Sequence, residues 1–376
     1  MPTDGKKIPY TGKPTENPNA TIVPGKMRSD REELPEGYTK EDADKAEMAE
    51  ARILAESKSR NARSSTTATN AIAAAAPTDC MTYFPEWRYQ VCGAIRVKYD
   101  SLGGSTSFLL LPTSNELVNP DQFGRRQTFV NGPIYWSAAS GAHPVVNHFF
   151  AAWARKGYEG GYIGYPTTDE IVNADGVGRR QEFQGAAIYW KLNEAYSIGG
   201  AIRSKWNTVG AETNSGLLGY PTSDEKVLPD GQGRMNSFER GAIYFHPSTG
   251  AQIMTTPFFT KFGSLGFETG PLGYPVAGDL PNSDGKGRRQ QFQGGWIYWH
   301  PVIGAQSVRG RIFEKWAELG YENGPMGYPI SDELATTAGF TSVGQRMSFF
   351  VGGGLIYNGP TNTVIRADRV NPGQPN

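Results

Sequence analysis

The chain has 376 residues, and its 37 Lys and Arg balance 37 Asp and Glu to a formal charge of zero. That balance excludes the basic field that nucleic acid or anionic lipid needs, and no apolar run approaches the roughly 18 residues of a membrane span. With 47 Gly, 26 Pro and 12% aromatic residues, the composition describes a turn-rich, aromatic-cored, mainly β protein.

Residues 1–38 mix Pro, Gly, Lys, Asn and Thr without an apolar period and read as disordered. Thr39, with Asp42 three residues on, marks a helix start. The Ala-, Glu- and Lys-rich stretch that follows predicts a single helix over 39–62. Its apolar positions are mostly alanine, which suits a spacer or a partner-binding helix. Residues 63–79 read as a flexible linker that would serve as a tether. The start shows no n-region or h-region of a secretory signal, which leaves a cytoplasmic protein or an exported one whose signal was removed. Cys80 and Cys92 stand twelve apart with no His or further Cys near them, so metal ligation is not expected. Their spacing allows two buried thiols or a disulfide. In an oxidising compartment the bridge would close a small loop and contribute about 2–3 kcal/mol. The disulfide, and export with it, is the expectation.

From residue 80 to 366 one sentence is written five times. A turn recurs as Leu110-Leu111-Pro112, Gly164-Tyr165-Pro166, Gly219-Tyr220-Pro221, Gly273-Tyr274-Pro275 and Gly327-Tyr328-Pro329, the prolines stepping by 54, 55, 54 and 54. A Phe follows each of the first four prolines by seventeen residues (Phe129, Phe183, Phe238, Phe292), and Phe349 follows the fifth by twenty. Then comes an aromatic box, Ile134-Tyr135-Trp136 and its counterparts at Ile188, Ile243, Ile297 and Ile356. Before each turn an amphipathic helix is predicted, with a large ring in a fixed place (Tyr99, Trp153, Trp206, Phe262, Trp316) and a stop glycine (Gly103, Gly157, Gly210, Gly266, Gly320). Asp-Gly pairs at Asp175, Asp230 and Asp284 mark tight loops between short strands. A period near 50 residues signals a propeller or another repeat array. Strand material at both ends, Trp87–Val91 and Thr363–Ile365, is what closing a ring requires. The expected fold is therefore mainly β with short helices: a five-fold pseudo-symmetric closed toroid, five-bladed and propeller-like, after a disordered and helical extension. A disordered tail is expected over 367–376.

Leu218 to Glu225 and Arg289 to Trp299 resemble, almost letter for letter, the signature of the LGFP-repeat family. The resemblance covers about three quarters of the chain. It implies a five-bladed, propeller-like domain of actinobacterial envelope proteins that holds to the arabinogalactan–peptidoglycan wall, often beside mycoloyltransferase or amidase domains. Repeat one departs at Leu110-Leu111 and repeat five at Asn358, so a site built from these positions would be altered there.

Catalytic signatures are scarce. There are four histidines, His143, His148, His246 and His300, and no nucleophile elbow, zinc-protease helix, phosphate loop or dinucleotide fingerprint. No cofactor and no metal are expected. Asp169, Asp224 and Asp332 suit either a turn or sugar hydroxyls, and Arg179, Arg234 and Arg288 either a salt bridge or a ligand. The aromatics Trp136, Trp190, Trp299, Tyr165, Tyr220, Tyr274 and Tyr328 join flat apolar faces to polar tips, as saccharide recognition needs, unless they fill the blade interiors. The leading expectation is a secreted, monomeric, non-catalytic protein that binds wall polysaccharide, arabinogalactan or peptidoglycan, through these residues. An envelope scaffold and a wall hydrolase are the alternatives.

Overall fold

The computed structural model describes residues 8–9, 19–34, 39–45, 47–48, 51–52, 80–83, 88–335 and 345–368. The expected linker, the helix beyond residue 52 and the tail from 369 lie outside these. Two compact units are present, Met1–Val172 with Arg179–Ala195, and Asn173–Gly178 with Tyr196–Asn376.

Each repeat is built around one helix: Gly93–Leu102, Asn147–Ala154, Gly200–Asn207, Thr256–Ser264 and Gly310–Glu318. All five end before the expected glycine, which stands in the left-handed region (Gly157 φ 84°, Gly320 φ 88°), where a Cβ would be strained. The helix buries two residues four apart, such as Phe149 with Trp153 and Ile312 with Trp316. Spacing by four puts both on one face. The indole N–H of Trp153, Trp206 and Trp316 then donates to the carbonyl of Gly164, Gly219 and Gly327 at 3.0 Å. That bond ties the helix to the Gly-Tyr-Pro turn. The turn glycine also needs positive φ, so Leu110 in repeat one is held at φ 58°.

The proline of every turn bridges to the Phe that follows it, and that Phe packs on the helix ring, at 5.6 Å between centroids for Trp153 and Phe183. In repeat five the partner of Pro329 is Phe350, not the expected Phe349. Phe350 is 1% exposed against Trp316, and Phe349 is 40% exposed. The insertion is one residue longer than the spacing implied, and in a strand a one-residue slip exchanges the two faces.

The strands of each repeat make a separate four-stranded antiparallel sheet, as in Leu280–Pro281, Arg288–Phe292, Gly295–His300 and Gly304–Val308. With the pair Cys80–Thr82 and Gln90–Cys92, the described residues hold six small antiparallel sheets, none of them closed. The closed five-bladed toroid is therefore incorrect. The terminal strands meant to close it are used locally: Gln90–Cys92 pairs with Cys80–Thr82, and Thr363–Asp368 with Gly353–Asn358. Cys80 and Cys92 are opposite one another in the first of these ladders and form the disulfide.

A buried amide joins each of the first four repeats to the strand before it. Gln127 Nε2 donates to the carbonyls of Gln90 and Ser114, Gln181 to Pro144 and Thr168, and Gln290 to Ile253 and Ala277, at 2.7–2.9 Å. Asn236 does the same in repeat three. Burial makes these bonds costly to break, because the carbonyls have no water to replace the amide. Near the N-terminus the expected cap is present: Thr39 and Asp42 exchange side-chain and backbone bonds, and the described residues from 40 to 52 are helical.

Candidate functional site

The sequence-predicted residues divide into three groups. Tyr165, Tyr220, Tyr274 and Tyr328 are buried. Each hydroxyl donates to the aspartate of the preceding repeat's loop: Asp121 at 2.5 Å, Asp175 at 2.6 Å, Asp230 at 2.7 Å and Asp284 at 2.8 Å. Asn119, Asn173 and Asn282 donate to three of these oxygens. Burial, then the carboxylate beside it, raises each phenol above its ordinary value, Tyr328 to about 12. A glycine sits under every ring. A Cβ on Gly124 or Gly178 would lie 2.5 Å from the tyrosine Cζ. These tyrosines latch repeat to repeat.

Repeat one has Leu111 in the tyrosine's place, which has no hydroxyl to donate.

Trp136, Trp190 and Trp299 are half-buried and face Arg125, Arg179 and Arg288 across the ladder; Arg234 faces Phe245. The arginines pair with the acid four residues after the turn proline, Arg179 with Glu170 at 3.2 Å and Arg288 with Asp279 at 2.9 Å. Arg234 lies 3.8 Å from Glu225. The aspartates reach backward to the previous repeat's last strand. Asp224 accepts from Ser197 N and Oγ, and Asp332 from Ser307 N and Oγ and from Lys261. Asp169 takes His143 Nδ1 at 2.7 Å and Lys98 at 2.9 Å. His143 Nε2 lies 2.9 Å from the Ser140 carbonyl, so both ring nitrogens are engaged. Among the described residues no group of His, Cys, Asp and Glu has the arrangement to hold a metal ion.

The sequence reading missed a second set of aromatics. Tyr158, Phe267 and Tyr321 follow the stop glycine in repeats two, four and five at φ 52–55°, and they are 37%, 41% and 38% exposed. Each stands edge-on to the helix ring, as Tyr158 does to Trp153 at 5.5 Å and 83°. Each also meets a second helix aromatic: Phe150, Phe259 or Phe313. At the junction of repeats one and two the pair Phe150 and Tyr158 forms one wall of a cavity of about 520 Å³. Arg126, Thr128, Tyr135 and Glu159 supply its polar side chains. Burial, with Glu159 adding to it, pushes the Tyr135 phenol up to about 12, so it is a neutral donor at any physiological pH. The signal available in the sequence was the column of Glu159, Glu212, Glu268 and Glu322, each two residues after a stop glycine.

A family model described as LGFP repeat matches residues 109–161, 163–214, 218–270 and 272–324, more than half of the chain. No curated protein matches. Among solved structures, a mutant TCP10 domain of Danio rerio CPAP is 9% identical with a TM-score of 0.21, covering 67% of this chain and 87% of that one. The extracellular domain of a hybrid two-component system from B. thetaiotaomicron is 11% identical with a TM-score of 0.15, covering 68% of this chain and 27% of its own. Scores this low do not establish a common fold.

Proposed function

Because this chain belongs to the LGFP-repeat family, a family of cell-wall-associated repeats, we propose that it is a non-catalytic cell-envelope protein that binds wall polysaccharide of the arabinogalactan or peptidoglycan kind. The observation that carries this reading is the exposed ring held at positive φ in three repeats. A bulky side chain there costs on the order of 1–3 kcal/mol. Aromatic faces on a repeated scaffold suit a repeated ligand, since sugar rings stack their C–H faces on π-surfaces while polar neighbours take the hydroxyls. Individually weak sites on one polymer add by effective concentration. The Cys80–Cys92 disulfide fits an oxidising compartment outside the cytoplasm, and no described helix is long and apolar enough to cross a membrane.

Co-sedimentation of the purified protein with insoluble wall tests the reading. Retention that falls when the glycan is digested, and not when wall protein is stripped, is the expected result. The reverse pattern would favour the envelope scaffold.

A further inference from the structure

We infer that the cavity between repeats one and two is a dedicated subsite for a neutral saccharide, set apart from the junction of repeats four and five by Pro120 and from that of repeats three and four by Arg126. The inference deepens the wall-binding reading and rests on it. Pro120 and Glu159 line the same cavity. At the junction of repeats four and five their counterparts are Ser283 and Glu322. There the serine N–H and Oγ donate to the glutamate at 3.0 and 2.7 Å, and Glu322 is only 8% exposed. Proline has neither an N–H nor a hydroxyl to offer. Glu159 is accordingly half-buried with no hydrogen bond among the described residues, and Tyr135 Oη has none either.

A half-buried carboxylate without a protein donor is left to water, which a ligand hydroxyl can replace. Arg126 stands in the same cavity, its guanidinium fixed by Asn119 Oδ1 at 2.9 Å and the Val118 carbonyl at 3.3 Å. One cation and one anion leave the cavity without net charge, which disfavours an anionic or an amino ligand relative to a hydroxyl-rich neutral one. Paired hydroxyls would donate to Glu159 and accept from Arg126 and Tyr135, with Phe150 and Tyr158 stacking on the ring. The volume is that of a small-ligand site. The junction of repeats three and four keeps a proline, Pro229, but has the buried Met235 where Arg126 stands, and so lacks the donor.

Calorimetric titration of the full chain tests this with soluble neutral arabinan and galactan oligosaccharides, and with uronate and glucosamine oligosaccharides as charged comparators. A neutral oligosaccharide should bind best. Pro120→Ser should weaken it at least tenfold by recapturing Glu159, and Glu159→Gln should do so by exchanging a charged two-oxygen acceptor for an amide with one neutral oxygen. Both variants should keep the wild-type melting temperature within a few degrees, since serine already occupies this place in repeat four. Equal binding by both variants, preference for a charged comparator, or no binding of any soluble saccharide would overturn the subsite. The wall-binding reading stands or falls separately: protein that still pellets with wall under those outcomes has lost only this inference.

Discussion

Replacing Gly178 with Ala tests the latch at its tightest point. Gly178 is not in the left-handed region, so a cost there comes from contact and not from backbone strain. The new Cβ would overlap Tyr220 Oη and lie 2.5 Å from Cζ and 2.7 Å from Cε1. If the ring yields, it gives up its bond to the Asp175 carboxylate, at about 1.5–3 kcal/mol for a charged acceptor. If it stays, overpacking costs about 1–3 kcal/mol. The chain takes the cheaper route, so a loss of about 1–3 kcal/mol is expected. Two controls bracket it. Gly160 has open space around it and no positive φ, so Ala should be neutral to within about 0.5 kcal/mol. Gly176 also has open space but stands at φ 71°, so Ala should cost about 1–2 kcal/mol through the backbone alone. Urea unfolding followed by tryptophan fluorescence is the assay, because Trp206 is bonded to Gly219, the residue before Tyr220. A Gly178→Ala midpoint indistinguishable from that of Gly160→Ala would refute the latch as a source of stability.

Acid should loosen the same joints. The Asp230 carboxyl is held below its usual value, first by the Gly233 N–H and then by the Tyr274 hydroxyl. A depressed folded value means its stabilisation is complete above about pH 4 and is lost as pH falls through that folded value. Melting temperature should be flat from pH 7 to 5 and fall below about 4, with a smaller acid loss in Asp230→Asn. Reducing the Cys80–Cys92 bond should remove up to about 3 kcal/mol from the first unit, read as a lower melting temperature in dithiothreitol. Leu110→Gly should raise stability by about 1 kcal/mol by relieving φ 58° at a residue whose side chain is already exposed; a lower melting temperature would mean that this side chain outweighs the strain.

The helices, their stop glycines, the Gly-Tyr-Pro turn and the disulfide could be read from the chain because each is a local decision. Apolar spacing sets the helix, and Gly320 ends it whatever lies beyond. The role of the tyrosines could not be read in that way. A residue present in four repeats looks the same whether it faces solvent or the neighbouring repeat. Only the pairing of Tyr165 with Gly124, 41 positions earlier, decides between them. Ring closure failed for a related reason. Strand propensity at both ends says that strands form, not which edge they join, and Gln90–Cys92 found its partner ten residues away. The cavity beside Glu159 was invisible because it needs two columns at once, Pro120 where repeat four has Ser283 and Arg126 where repeat three has Met235.

The exposed rings pose the sharpest choice between structure and function. An edge-on contact with the helix aromatic returns about 0.5–1.5 kcal/mol, which only partly offsets a strained backbone. Repeat one places Gly104 at this position and repeat three Ala211, both also at positive φ, and both repeats fold. The scaffold therefore does not require a ring there, and what remains to explain Tyr158, Phe267 and Tyr321 is the surface they present. Changing all three to Ala should cost at most about 1 kcal/mol at each position. Wall retention should fall far more than in any single variant, because linked sites lose avidity multiplicatively. Co-sedimentation and urea unfolding on the same four proteins separate the cases. Large stability losses with unchanged retention would make these rings staples of the fold and remove the support they give to glycan binding.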